Sequence, residues 1–164
     1  MADDRDVERI AAWLRDARQI VVLTGAGIST ESGIPDFRGP NGVWTKDPTA
    51  EKLATIQHYV ADPEHRKQVW RRRAESEMFG GQPNAGHRAL AELEERAALH
   101  TLVTQNVDGL HLAAGTSPDR LVEIHGNVHA VKCLGCGWRG RWRRPSTGCG
   151  PARTTPRAST AAGC

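Results

Sequence analysis

An α/β fold built on a parallel sheet is the class that this 164-residue sequence predicts. Three observations carry the prediction. Ile20-Val21-Val22-Leu23 is a short apolar run rich in β-branched residues, as a buried strand requires. A Gly-rich turn, Thr24 to Ser29, follows it at once, which is how nucleotide-binding α/β units commonly open. Two more strand-like runs, Thr101 to Thr104 and Leu121 to Ile124, lie beyond sequence of helical character, and alternating strands and helices favour parallel pairing.

The remaining elements follow in chain order. Val7, Ile10, Ala11, Leu14 and Ala17 recur at helical spacing and predict an amphipathic first helix that ends by Gln19. Gly33 to Gly42 is rich in Gly and Pro and is predicted to be loop. Residues 49–76 are polar and helical in propensity, with Pro63 as a break. Arg71-Arg72-Arg73, beside Glu75 and Glu77, is expected to be a solvated helix face. Asn84 is predicted to cap a helix carrying Ala85, Leu90, Leu93 and Ala97. No internal repeat is visible.

Composition narrows the class further. Hydrophobic residues make up 38% and charged residues 25%, a globular rather than disordered balance. No apolar run approaches the ~20 residues of a membrane span, and the acidic start, Met1 to Asp6, has no apolar signal region. A soluble cytoplasmic protein without a membrane partner is therefore expected. The net charge of +3 is uneven: Arg141 to Cys164 holds five Arg and no acidic residue, which leaves 17 basic against 19 acidic side chains, or −2, on residues 1–140. The tail also lacks Leu, Ile, Val, Met and Phe and cannot build a core. Residues 1–140 are thus expected to be the body and 141–164 an atypical tail.

Four motifs carry chemistry. In the stretch Gly25 to Gly39, Gly25 and Gly27 would let backbone approach a pyrophosphate and the following amides donate to phosphate oxygens. The third glycine of a dehydrogenase fingerprint would fall at Thr30, so a standard dehydrogenase is disfavoured; a simple tight turn is the plainer alternative. Thr104-Gln105-Asn106-Val107-Asp108-Gly109-Leu110-His111 stands at the C-terminal end of a strand, where open parallel sheets bind ligands. Its amide and carboxylate side chains suit ribose hydroxyls or a carboxamide; a polar turn is the alternative. His125-Gly126, also just after a strand, offers a general base, although a lone His is usually not catalytic, and His58, His65 and His100 lack any such context. Cys133-Leu134-Gly135-Cys136-Gly137 has the shape of a zinc knuckle, with a redox dithiol as the alternative. A structural zinc needs two more ligands, and Cys149 and Cys164 do not form a second knuckle.

In this order the four motifs resemble the sirtuins, NAD-dependent protein lysine deacylases, over Gln19 to about Gly137. The resemblance implies a Rossmann-like parallel sheet, incomplete in this sequence, with a small zinc-binding module. It implies that Gly25, Ala26 and Gly27 line the NAD phosphates. Pro35, Asp36, Phe37 and Arg38 would lie on a mobile cofactor loop, with Phe37 shielding the nicotinamide-ribose side. Glu31 and Trp44 join the cofactor set, and Gln105, Asn106 and Asp108 would contact the ribose and the nicotinamide carboxamide. His125 would be the general base, and Cys133 and Cys136 half of a structural zinc site. The implied reaction passes the acyl group of an acylated-lysine protein to ADP-ribose and releases nicotinamide. Mono-ADP-ribosyl transfer at the same cofactor site is the rival within enzymes. A zinc-ribbon nucleic-acid binder is the rival outside them, but it leaves the NAD-type motifs unexplained, so no specific nucleic-acid partner is expected. Tyr59 is followed three residues on by Asp62 rather than Arg, so no Tyr-x-x-Arg pair is evident for an acidic acyl group and acetyl substrates are favoured.

The sequence departs from that family after the first Cys pair. A second Cys-x-x-Cys, a Phe-Gly-Glu-like strand, a Gly-Thr-Ser motif and an Asn-containing loop do not follow. A one-base frame shift near Gly140 would convert the tail to a helix-like segment and a second Cys-x-x-Cys, so the tail is expected to be out of frame. The sheet is then expected to keep an unpaired edge and exposed apolar faces, and the chain to fold poorly and deacylate weakly.

Overall fold

The computed structural model describes residues 3–75, 80–96 and 99–142. Ser76, Glu77, Ala97 and the tail from 143, with Cys149 and Cys164, lie outside the described residues.

Helix α1 (Asp4–Asp16) opens on Asp3, whose side chain accepts from the Arg5 N–H, and carries Asp4 and Asp6 in its first turn and Arg15 in its last, each matching the helix dipole. Ala17 shares the apolar spacing but is the extended C-cap, so it leaves the helix and packs against the core. Strand β1 (Ile20–Thr24) runs directly into a 3-10 turn, Ala26–Ser32, which closes on Gly33 in the left-handed region at φ 81°.

The polar stretch that follows is a series of short capped helices. These are α2 (Val43–Lys46), α3 (Pro48–Leu53), α4 (Ile56–Ala61) and α5 (Pro63–Glu75). Pro48 and Pro63 each stand first in a helix, where the missing N–H costs nothing. Asp47 and Thr55 cap α3 and α4, and Asp62 Oδ1 accepts from the Glu64 and His65 amides. Pro63 therefore marks a start as well as a break. The predicted later helix is α6 (Ala85–Glu95), followed by β2 (Leu99–Thr104), a short α7 (Leu110–Ala113) and β3 (Leu121–Glu123).

The three strands form one parallel sheet, as the alternation predicted, and the structure sets their order as β1-β2-β3. Leu23 sits opposite Val103, and Val103 opposite Val122, so each strand alternates between the same two faces. One face carries Ile20, Val22, Leu99, Leu102 and Leu121, covered by Leu90 and Leu93 of α6 and by Ala17. Leu99 and Leu102 are fully buried there, each contributing about 1.5–3 kcal/mol. The other face carries Val21 and Leu23, about two-thirds exposed, and Val122 and Ile124, about half exposed. Last comes an antiparallel hairpin, β4 (Ala130–Lys132) with β5 (Arg139–Arg141), that holds the Cys pair in its turn. Neither α7 nor this hairpin follows from the sequence patterns above. Among the described residues, no helix is long and apolar enough to cross a membrane.

Candidate functional site

The C-terminal ends of β1 and β2 stop side by side, and both continue into polar segments. The Gln105 amide donates to the Thr24 carbonyl at 3.0 Å, which extends the strand pairing by one step and aligns the two segments. Asn106 Nδ2 then donates to the Gly25 carbonyl at 3.1 Å and to Ser29 Oγ at 3.0 Å. Ser29 Oγ donates to Asp108 Oδ2 at 2.7 Å, and Asp108 Oδ1 accepts the Leu110 amide at 2.9 Å. Two residues of the second motif thus bolt the glycine turn of the first onto the end of the sheet. Ser29, Asn106 and Asp108 are all buried.

Two histidines complete this layer. His87 stands at the third position of α6, in a capping box: Asn84 Oδ1 accepts from the Gly86 and His87 amides, and the Asn84 amide reaches back to His87 Nδ1. His87 Nε2 lies 3.5 Å from Ser29 Oγ. Asn84 Nδ2 also donates to the Ile28 carbonyl, at 2.6 Å, and to Ser32 Oγ, so one residue caps α6 and clamps the turn. His111 Nε2 lies 2.9 Å from Thr24 Oγ1, which itself donates to Thr104 Oγ1 at 2.9 Å. With Thr24's one proton directed to Thr104, His111 Nε2 is the nitrogen placed to donate to Thr24 Oγ1. The His87 and His111 rings meet at a tilt of 54°, with centroids 4.8 Å apart. Burial, then its neighbour His87, pushes His111 down to about 4, while Asp108 pulls the other way. Burial also lowers His87, again opposed by Asp108.

The other predicted cofactor residues lie on the open side of this layer. Gly25 and Gly27 have nothing within 4 Å where a side chain would begin, so ligand can approach the backbone of the turn. Ala26 is half-buried, and Gly27 and Glu31 are exposed. An open cleft of about 360 Å³ beside the turn is lined by Thr30, Ile34, Pro35 and Asp36. The loop beyond is held in place: Asp36 Oδ1 accepts the Gly39 amide, and the Asp36 and Phe37 carbonyls accept the Val43 and Trp44 amides, both at 2.9 Å. Any side chain at Gly42 would meet the Phe37 carbonyl carbon and oxygen at 2.5 Å, so only glycine fits. Phe37 packs 4.7 Å from the Trp44 ring, Arg38 lies over the same ring, and Arg38 also pairs with Glu51 at 3.1 Å. Gln105 and His125 are exposed. His125 follows β3, whose end is tied back by the Ile124 amide donating to the Thr104 carbonyl.

The structure therefore separates the predicted residues by task. Asn106 Nδ2 and Asp108 Oδ2 bond to the turn and Asp108 Oδ1 to the Leu110 amide, while Gly25, Gly27, Pro35, Asp36, Gln105 and His125 remain accessible in whole or part. The sequence marked Asn84 as a helix cap, as found, but gave no separate role to Ser29, His87 or His111. The Asn-x-x-His spacing before α6 was a usable signal, because a histidine at the third position can close a capping box as Glu or Gln does.

The Sir2 family profile matches residues 25–157. The chain belongs to the Sir2 family. This Sir2 chain is 51% identical over 121 residues to the NAD-dependent protein deacetylase 2 of Streptomyces coelicolor, covering 74% of itself and 50% of that protein. A crystallised Sir2 homologue in complex with NAD is 35% identical, with a TM-score of 0.74 over 94% of this chain and 57% of that one. A Sir2 variant held with a deacetylated peptide and acetyl-ADP-ribose is 36% identical, with a TM-score of 0.72 over 82% of this chain and 53% of that one. This Sir2 chain spans about half the length of the curated relatives it matches.

At the hairpin, the amides of Cys136 and Gly135 donate to Cys133 Sγ and lower its pKa. The Cys133 amide donates to the Trp138 carbonyl and the Gly137 amide to the Cys133 carbonyl, with Gly137 at φ 76°. That is a turn shaped to hold a thiolate. Among the described residues, no group of three or more His, Cys, Asp or Glu side chains is placed to hold a metal.

Proposed function

We propose that this chain supplies the NAD-binding side of an NAD-dependent protein lysine deacetylase. The observation that carries the proposal is the glycine turn held open at the strand ends by Asn106, Ser29 and Asp108. A turn anchored from below presents its backbone without having to order on binding. NAD, when bound, supplies an electrophilic ribose carbon whose bond to nicotinamide is exchanged for one to the acyl oxygen of lysine. The turn at Gly25, Ala26 and Gly27 would hold its phosphates. Pro35, Asp36 and Phe37, with Arg38 and Trp44 behind them, would cover the reacting end, and Gln105 would reach the carboxamide or ribose. Glu31 would stand at the rim. Asn106 and Asp108 act mainly by positioning the turn. His125, exposed after β3, would take the proton of a ribose hydroxyl as that oxygen attacks the acyl group.

The test is incubation with NAD and an acetyl-lysine peptide under reducing conditions, with nicotinamide and O-acetyl-ADP-ribose as the products measured. His125→Ala is expected to lower the rate by about 10²–10⁴-fold, with the melting temperature unchanged because the side chain is exposed. Near-full turnover by that variant would refute the assignment. ADP-ribose transferred intact to an acceptor would identify mono-ADP-ribosyl transfer instead.

A structural zinc site is the second part of the proposal. Cys133 and Cys136 would give half of its ligands, supported by the amides that already stabilise the Cys133 thiolate. Reduced protein is expected to carry zinc by elemental analysis, and Cys133→Ser to lose it. A cytoplasmic site of action accords with cysteines kept reduced for metal.

A further inference from the structure

We infer that Arg73 is a positioning residue for His125, acting from helix α5 through the backbone carbonyls of the segment that follows that histidine. The inference rests on His125 as the general base of the reaction proposed above. Arg73 stands in the last turn of α5 and is half-buried. Its Nη2 donates to the Val128 carbonyl and, at 3.1 Å, to the Ala130 carbonyl. Its guanidinium lies over two indoles, 5.3 Å from the ring centre of Trp70 and 5.3 Å from that of Trp142. Trp142 follows β5 directly, and its amide donates to the His129 carbonyl at 2.8 Å. One side chain thus stands where α5, residues 125–130 and the end of the Cys hairpin meet.

The segment is anchored before and after His125. Before it, the Ile124 amide donates to the Thr104 carbonyl, and Glu123 accepts twice: its carbonyl from the Gly126 amide at 3.1 Å, its Oε1 from Asn127 Nδ2 at 2.6 Å. After it, the Val128 amide donates to the Val107 carbonyl at 2.7 Å, and Arg73 engages the Val128 and Ala130 carbonyls. His125 itself is exposed, so its direction follows from the backbone that carries it rather than from packing around its ring. Arg73 is a costly way to gain stability. Among the described residues it has no carboxylate partner, its Nε is buried without a hydrogen bond, and burial lowers its pKa. A cation held by carbonyls and ring faces has given up hydration that an apolar side chain would not have to lose. What it supplies is aim, because a planar group set against two indoles fixes where its N–H bonds point.

Hydrogen exchange read amide by amide on the whole 164-residue chain tests this. Arg73→Leu keeps apolar bulk against the indoles and removes the donors. It should speed exchange at Val128 and Ala130 about tenfold, while the Leu102 amide in the sheet core keeps its rate. Arg73→Lys returns a charge without the planar group, and should leave those two amides about threefold faster than in the unmutated chain. In the deacetylation assay, Arg73→Leu should lower kcat about tenfold and leave KM for NAD within about twofold, because the glycine turn is untouched. Arg73→Lys should recover part of that kcat. Circular dichroism checks folding, and if Arg73→Leu does not fold, Arg73→Lys carries both measurements. The inference is overturned by loop amides that keep their rate, by acceleration shared equally with Leu102, or by faster loop exchange with kcat unchanged. An unmutated chain that releases no nicotinamide counts against the proposed function, and the exchange comparison still decides whether Arg73 holds the segment.

Discussion

Neighbouring positions of one strand meet opposite fates. Thr24, at the end of β1, is 8% exposed; Leu23, immediately before it, is 65% exposed. The polar residue is buried because His111 and Thr104 satisfy it, and the apolar one is open because nothing in the described structure packs on its face. Around Thr24 the chain has assembled Ser29, His87, Asn106, Asp108 and His111 into a buried, hydrogen-bonded layer beneath the glycine turn. Polarity alone does not sort this molecule. The strand ends are closed by hydrogen bonds, whereas the outward face of the described sheet is apolar and open.

Removing a member of the buried layer gives the largest expected effect. Asp108→Ala takes away the acceptor of the Ser29 hydroxyl and of the Leu110 amide, leaving both donors buried and unpaired. A loss of about 3 kcal/mol is expected, since each orphaned buried group costs roughly 1–3 kcal/mol. Urea unfolding measures it. A loss below about 0.5 kcal/mol would mean that the layer is not what orders the turn.

The same contrast explains what was legible in the sequence. The three strands, their parallel pairing and the capped helix after Asn84 follow from local patterns: β-branched runs, Gly-rich turns and an N-cap. The site was legible as a set of motifs, but not as a division of labour. Asn106 and Asp108 were expected at the ligand because short polar side chains after a strand suit one. Only the pairing of β1 with β2, which brings residues about eighty positions apart into contact, turns them toward Ser29. His111 was hidden for the same reason, since its partners Thr24 and His87 come from distant parts of the chain. The three separate helices between Pro48 and Glu75 were blurred because Asp47, Thr55 and Asp62 act as caps inside a stretch that is uniformly helical in propensity.

Acid should break the buried layer before it touches the apolar face. His111 is held at about 4 in the fold and is ordinary, near 6.5, in the unfolded chain. Between those values the unfolded chain binds the extra proton, so stability is full above about pH 6.5 and falls as the pH drops toward 4. Allowing for solvent screening, the loss attributable to this ring is about 2 kcal/mol. Thermal melts at pH 7, 5.5 and 4 measure it, and His111→Gln should flatten that slope whatever it does to the absolute stability. An unchanged slope would remove His111 from the account.

The smallest effect is expected on the open face, and its smallness is informative. Leu23→Ser removes an aliphatic side chain that is already in water, so the chain by itself should lose no more than about 0.5 kcal/mol. Thr24→Val, one position on, removes the hydroxyl between Thr104 and His111 and should cost about 1–2 kcal/mol, although valine is the more apolar residue. The ranking reverses what hydrophobicity would give for a finished sheet, where the strand leucine would be the expensive one. Parallel denaturation curves for the two variants decide it. If Leu23→Ser cost more than Thr24→Val in the isolated chain, the outward face would already be covered in solution.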